Sequence, residues 1–130
     1  MPRILPILLL ATGGALGALA RVGLAATVQR LHGGPWPVGT FVANALGCLL
    51  FGLIMGAASA HGRWSPAVTM ALLGGFCGAF TTFSTFAHDA VRTANGAGLM
   101  QAAGVLMAHI VVGVGLMTAG LWLGGRLGGA

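Results

Sequence analysis

Gly74-Gly75-Phe76-Cys77-Gly78-Ala79-Phe80-Thr81-Thr82-Phe83-Ser84-Thr85-Phe86 lies in the middle of an apolar run. Three glycines there precede four hydroxyl side chains. Glycine and β-branched threonine both weaken a helix, so this stretch predicts a break inside an otherwise helical span. Broken backbone at membrane depth survives only where it lines a cavity or binds something. The released carbonyls suit a hard cation, and the hydroxyls suit a polar path. The alternative is a continuous helix whose hydroxyls bond back to their own preceding turn.

The surrounding chain makes lipid the natural solvent. It has 130 residues, 57% of them hydrophobic and 5% charged, and its mean hydropathy is +0.96. Six of the seven charges are arginine, and the single acid is Asp89. A soluble domain carries about 25% charged residues, so a monomeric soluble domain is excluded. A helical span needs about 20 residues, which leaves room for roughly four spans and no separate catalytic domain. The apolar runs fall at about 4–28, 38–58, 67–90 and 99–123, and residues 1–130 form a single four-helix transmembrane domain. Turn-forming segments at Gln29–Pro37, Ser59–Pro66 and Arg92–Gly96 separate them. Trp36, Trp64 and Trp122 sit at span ends, where an indole bridges headgroup and hydrocarbon. Arg3, the apolar core after it and Ala18-Leu19-Ala20 also fit a cleaved signal peptide. The run continues apolar past Ala20, however, and Gly13 and Gly17 have a helix-packing spacing, so a retained first span is expected.

Glycine is the commonest feature of the spans. Gly13/Gly17, Gly52/Gly56, Gly74/Gly78 and Gly120/Gly124 each make a G-x-x-x-G, a spacing that lets helices approach closely in lipid. A formal net charge of +5 invites a nucleic-acid partner, but the arginines are single and widely spaced, and a phosphate-binding surface needs them clustered. Cys48 and Cys77 lie in apolar stretches and read as small buried hydrophobes. No plausible nucleophile, base and acid group is present, so the chain is not expected to be an enzyme.

Polar residues inside the spans are costly and often functional. They are Arg21, Thr40, Asn44, the Thr81–Thr85 cluster, His109 and Thr118. Asp89 stands near the end of span three, so no carboxylate is available at mid-span for proton coupling. Phe83 and Phe86 share a helix face, and Thr82 and Thr85 repeat the spacing on a neighbouring face. Such phenylalanines are commonly packing or lipid contacts, but a ring edge is positive and can contact a small anion without a fixed charge to trap it. Phe51 carries no mark of a pore-lining residue. Asn44 suits two roles, donating to an anion or holding two helices together, with Thr40 one turn earlier on its face. Arg21 suits three: snorkelling, capping carbonyls or concentrating anions at a pore mouth. For His109 the plain expectation is a satisfied core histidine.

Three segments resemble the Fluc (CrcB) fluoride channels: Gly13–Arg21, Gly39–Gly47 and Gly75–Phe86. The order and length match over essentially the whole chain, and the third segment is the most specific. The resemblance implies an all-α membrane protein of four transmembrane helices per subunit, the third broken, assembled as an antiparallel dual-topology homodimer. It implies fluoride as the permeant ion, with two antiparallel pores at the interface. It also implies a structural sodium ion held by carbonyls of both broken third helices, with ligands at Gly78 and Thr81. The pore phenylalanines then fall at Phe83 and Phe86 and the pore asparagine at Asn44, with the hydroxyls of Thr82, Ser84 and Thr85 forming a polar track. Arg21 and Thr40 remain further candidates. The chain departs from the family in span four, where Val105, His109 and Gly113 stand roughly where many members carry serine or tyrosine. His109 is therefore also a candidate for the ion path.

The implied activity is passive export from the cytoplasm through the bacterial inner membrane. Hydrofluoric acid crosses a membrane as a neutral molecule and ionises inside. An inside-negative potential then drives the anion out, at about 2.3 kcal/mol per 100 mV, with no need of ATP. The competing functions are a small dual-topology drug or cation exporter, disfavoured by the missing mid-span carboxylate, and a membrane subunit that only packs, disfavoured by the polar break.

With four spans, Arg3, Arg63 and Arg126 share one side of the membrane, and Arg30 and Arg92 the other. Orientation follows the arginine and lysine bias between sides, and here the bias is almost nil. Insertion in both orientations is therefore predicted. Single-cysteine labelling in intact cells should reach the C-terminal region from both sides; labelling from one side alone overturns dual topology.

Overall fold

The computed structural model describes residues 4–62 and 64–128, so Arg3 and Arg63 of the charge comparison lie outside the described residues. All the regular structure among the described residues is helical. Helix α1 is Ile4–His32 and α2 is Val38–His61. The third span consists of α3 (Pro66–Met70), a π-helical stretch Ala71–Cys77, α4 (Gly78–Phe80) and α5 (Phe83–Ala97). Helix α6 is Leu99–Leu127. Four helical units are long and apolar enough to cross a membrane.

The helices overrun the apolar runs. Gln29–His32 continues α1, and Arg92–Ala97, read from sequence as part of a loop, continues α5. Polar groups in these end turns meet water or headgroups, so hydropathy falls before helicity does. The remaining connection between α5 and α6 is Gly98, at φ +105°, a backbone state that a side chain strains. Between α1 and α2 the side chain of Gln29 holds the turn. Its Nε2 donates to the carbonyls of Gly34 (2.9 Å) and Trp36 (3.0 Å), and its Oε1 accepts from Gly39 N (3.1 Å).

Two glycine contacts set the packing. On α2 and α6, the most extensive helix pair, the two G-x-x-x-G motifs face each other. A Cβ at Gly56 would stand 2.4 Å from the Leu121 carbonyl oxygen, and one at Gly124 would stand 2.2 Å from that of Leu53. The backbones touch, and dispersion over that contact replaces the hydrophobic force that lipid does not supply. The second contact joins α1 to the π-helical stretch. A Cβ at Gly13 would lie 2.5 Å from the Ala71 oxygen, at Gly17 2.2 Å from that of Phe76, and at Gly75 2.7 Å from that of Leu10. The close-approach glycine of the third span is thus Gly75. A Cβ at Gly74 or Gly78 would find only ordinary contact at 3.6 Å, so the Gly74/Gly78 pair is not the packing motif its spacing suggests. The wider π turn shifts the phase of the helix ahead of the break, and this shift puts Gly75 against α1.

The fully buried core is small-sided, with Ala43, Val105 and Cys77 almost without exposure. Large apolar side chains such as Leu19, Leu31 and Val114 point outward, as expected where the outer surface is lipid. Cys48 and Cys77 are free thiols.

Candidate functional site

The third span breaks where the glycine and hydroxyl pattern places it. Thr81 (φ −91°, ψ 156°) and Thr82 (φ −147°, ψ 116°) are extended, between the C-terminus of α4 and the N-terminus of α5. Their released backbone groups find specific partners. Asn44 of α2 donates from Nδ2 to the Thr82 carbonyl (3.1 Å), and its Oδ1 accepts from Thr82 N (2.8 Å). This side-chain amide pairs with the broken backbone as a neighbouring strand would. Of the two roles open to Asn44, helix clamping is the one seen, and one of its two amide hydrogens remains over. Arg21 of α1 caps: its Nε donates to the Ala79 carbonyl (3.1 Å). Thr81 donates its hydroxyl back to Cys77 O (3.0 Å), and its methyl group occupies the space above Gly47, where a Cβ would come within 2.2 Å.

Thr82 is the N-cap of α5. Its Oγ1 accepts from Thr85 N (3.2 Å), meets Thr85 Oγ1 at 3.0 Å and lies 3.3 Å from Ser84 Oγ. The three hydroxyls proposed as a track are therefore joined to one another, at a helix N-terminus whose dipole favours an anion. On the other side of the break, the Gly78 and Thr81 carbonyls accept no hydrogen bond among the described residues. They lie at a helix C-terminus, where the dipole favours a cation.

A cavity of about 380 Å³ opens beside the break, walled by Asn44, Gly47, Cys48, Phe51, Thr81, Thr82, Phe83, Phe86, His109, Ile110 and Met117. Its wall holds no Asp, Glu, Lys or Arg. Phe83 and Phe86 sit edge to face, with centroids 5.7 Å apart. Phe83 is 79% exposed in the single chain, so this wall lacks a far side. Ser84 and Thr85 reach the cavity only through Thr82. Phe51, unmarked in sequence, is part of the wall, and that corrects its reading as a neutral position. Cys48, Ile110 and Met117 gave no sequence signal either, since apolar residues on a lipid helix look alike whichever way they face.

His109 departs from a fully satisfied core residue. Its Nδ1 lies 2.9 Å from the Val105 carbonyl, but its Nε2 is buried without a hydrogen-bond partner among the described residues. Val105 itself is core and supplies only that carbonyl. Thr40 is not brought to the cavity. Its hydroxyl donates to Asp89 Oδ2 (2.7 Å) at a separate cavity of about 190 Å³ against the α1–α2 turn. Asp89, the lone acid, is 7% exposed, with Arg92 Nη2 at 3.7 Å. Among the described residues no three His, Cys, Asp or Glu gather to hold a metal, so the donors offered at the break are carbonyl oxygens.

Residues 8–121 match the family described as "CrcB-like protein, Camphor Resistance (CrcB)". The chain is 45% identical over 127 residues to the "Fluoride-specific ion channel FluC" of Nitratidesulfovibrio vulgaris, spanning 93% of this chain and 97% of that one. It is 43% identical to "Fluoride-specific ion channel FluC 1" of Streptomyces avermitilis, over 88% of this chain and 92% of the other. It is 36% identical to the "Fluoride-specific ion channel FluC" of Dehalococcoides mccartyi, over 93% of both chains.

Asn44→Ala leaves both the N–H and the carbonyl of Thr82 unpaired. The expected loss of stability is about 1–3 kcal/mol for each of the two groups, with faster hydrogen exchange at the Thr82 amide. Thermal unfolding in detergent and exchange at that amide measure it; unchanged exchange shows that the clamp does not hold the break.

Proposed function

This chain belongs to the CrcB family, and we infer that it is a passive fluoride-selective channel that lets the anion leave the bacterial cytoplasm across the cell membrane. The observation that carries the reading is the cavity at the break, which gathers Asn44, Thr82, Phe83 and Phe86 in a wall without fixed charge. Fluoride is strongly hydrated, so a path must replace water with several donors. It must hold none so tightly that the ion stays. The spare Asn44 amide hydrogen, the Thr82 hydroxyl with its linked Ser84 and Thr85, the amides opening α5 and the positive ring edges of Phe83 and Phe86 are weak contacts of that kind. Asp89 does not favour the exporter reading, because its carboxylate is turned to Thr40 and Arg92 outside this cavity.

The cavity is half a pore, and its missing wall is a second copy of this chain. The even arginine balance and the exposed Phe83 support an antiparallel homodimer in lipid. The Gly78 and Thr81 carbonyls fit the structural sodium ion: they are hard oxygen donors with no hydrogen bond among the described residues. Two copies would offer four such oxygens on the shared axis. Bound there, a sodium ion supplies charge neutralisation that holds two helix C-termini together.

Phe83→Ile and Phe86→Ile keep apolar bulk and remove the ring quadrupole. Fluoride efflux from liposomes is expected to fall about tenfold or more for each, with the purified dimer intact. Phe76→Ile is the control: Phe76 stacks on Phe80 with centroids 5.7 Å apart and takes no part in the cavity wall. If all three variants conduct alike, the rings are ordinary packing.

Replacing sodium by N-methylglucamine is expected to weaken the dimer and slow efflux together. Indifference of both, after elemental analysis shows the purified protein free of sodium, overturns a structural ion.

A further inference from the structure

The hydrogen bonding of His109 determines where its ring can take up a proton. The Val105 carbonyl only accepts, so at 2.9 Å Nδ1 must carry the hydrogen. In the neutral ring Nε2 is then a bare acceptor, and it is buried with no donor to meet it among the described residues. Two aromatic rings flank the imidazole: Phe41, with centroids 5.3 Å apart at 85°, and Phe86, with centroids 4.5 Å apart at 41°. His109 also forms part of the wall of the ion cavity.

Resting on the channel reading above, we propose that His109 is a proton-switched positive charge beside the ion path, so that a proton on Nε2 and an anion in the cavity bind together. The neutral ring offers an anion nothing, since its free nitrogen presents a lone pair. The protonated ring places a full charge against a cavity wall that otherwise has none. In a low-dielectric surrounding that charge acts across the cavity without direct contact. Linkage is reciprocal: fluoride raises the proton affinity of the ring by the same factor that the proton raises the affinity for fluoride. His109 is thus a positioning residue that acts through the field at the path.

Among the described residues, no other group on the packed elements supplies this charge. On α2, Cys48 lines the same cavity as a thiol. On α5, Asp89 stands one turn beyond Phe86 and is engaged by Thr40 and Arg92, while the His88 side chain is 74% exposed. Arg126 of α6 is held over the Trp122 ring, 3.9 Å from its centroid. The arrangement matches the chemistry of the threat. Each molecule of hydrofluoric acid that enters delivers one proton and one fluoride, and this site responds to both.

Fluoride current in planar bilayers tests it, because the leak of neutral acid carries no current. The half-saturating fluoride concentration is compared at about pH 7.5 and about pH 5.5. In the wild type it is expected to fall about threefold or more on acidification, with the current at saturating fluoride flat or lower as the ion is held longer. His109→Gln abolishes the shift, and His109→Phe, which keeps the ring volume, serves if the amide is not tolerated. His32→Gln, in the exposed end of α1, retains the wild-type shift. A wild type that conducts fluoride with the same half-saturation at both pH values overturns the proposal, as does an undiminished shift in either His109 variant. A wild type with no fluoride current at either pH overturns the channel reading instead.

Discussion

A backbone that leaves the helix inside a membrane has no water to bond to, and everything around Thr81 and Thr82 answers that constraint. Asn44 takes both polar groups of Thr82, Arg21 takes the Ala79 carbonyl, and Thr81 folds its own hydroxyl back onto Cys77. Each buried polar group left unpaired would cost about 1–3 kcal/mol, so the three side chains are as much part of the fold as the helices. They come from α1, α2 and the break itself. The break therefore exists only in the assembled bundle.

Close packing makes that assembly possible. Glycine pairs let α2 and α6 touch backbone to backbone, and Gly13, Gly17 and Gly75 do the same for α1 and the π-helical stretch. Gly47 leaves the space that the Thr81 methyl fills. Side chains at these points would separate the helices by more than the reach of the Asn44 and Arg21 hydrogen bonds. The glycines thus carry the geometry of the site, and Gly47 among them also stands in the cavity wall.

The two helix ends at the break have opposite character. At the α4 end stand the Gly78 and Thr81 carbonyls, which accept no hydrogen bond among the described residues, and α5 begins with amides and linked hydroxyls. One interruption of one span hence creates a cation-favouring end and an anion-favouring end a few residues apart. The cavity wall beside the break offers weak, multiple contacts and holds no fixed charge. The outward-facing Phe83 leaves that wall open on one side in the single chain.

Composition and spacing alone determined much of this protein. Sparse charge and four apolar runs decide the membrane fold, because no water-exposed surface can be built from them. The glycine and hydroxyl run from Gly74 to Phe86 marks the break, because helix propensity is local. The shared face of Phe83 and Phe86 follows from helical period. What the tertiary structure decided were the pairings across spans. Asn44 clamps Thr82, 38 residues away in sequence, and Thr40 belongs to Asp89 rather than to the ion path. Phe51 and His109 line the cavity, and Gly75 is the contact glycine in place of Gly74 and Gly78. The physical reason is common to all of them. In lipid both faces of a helix are apolar, so hydrophobic periodicity does not say which face meets a neighbour. The π turn then rotates the third span by an amount that no local propensity encodes.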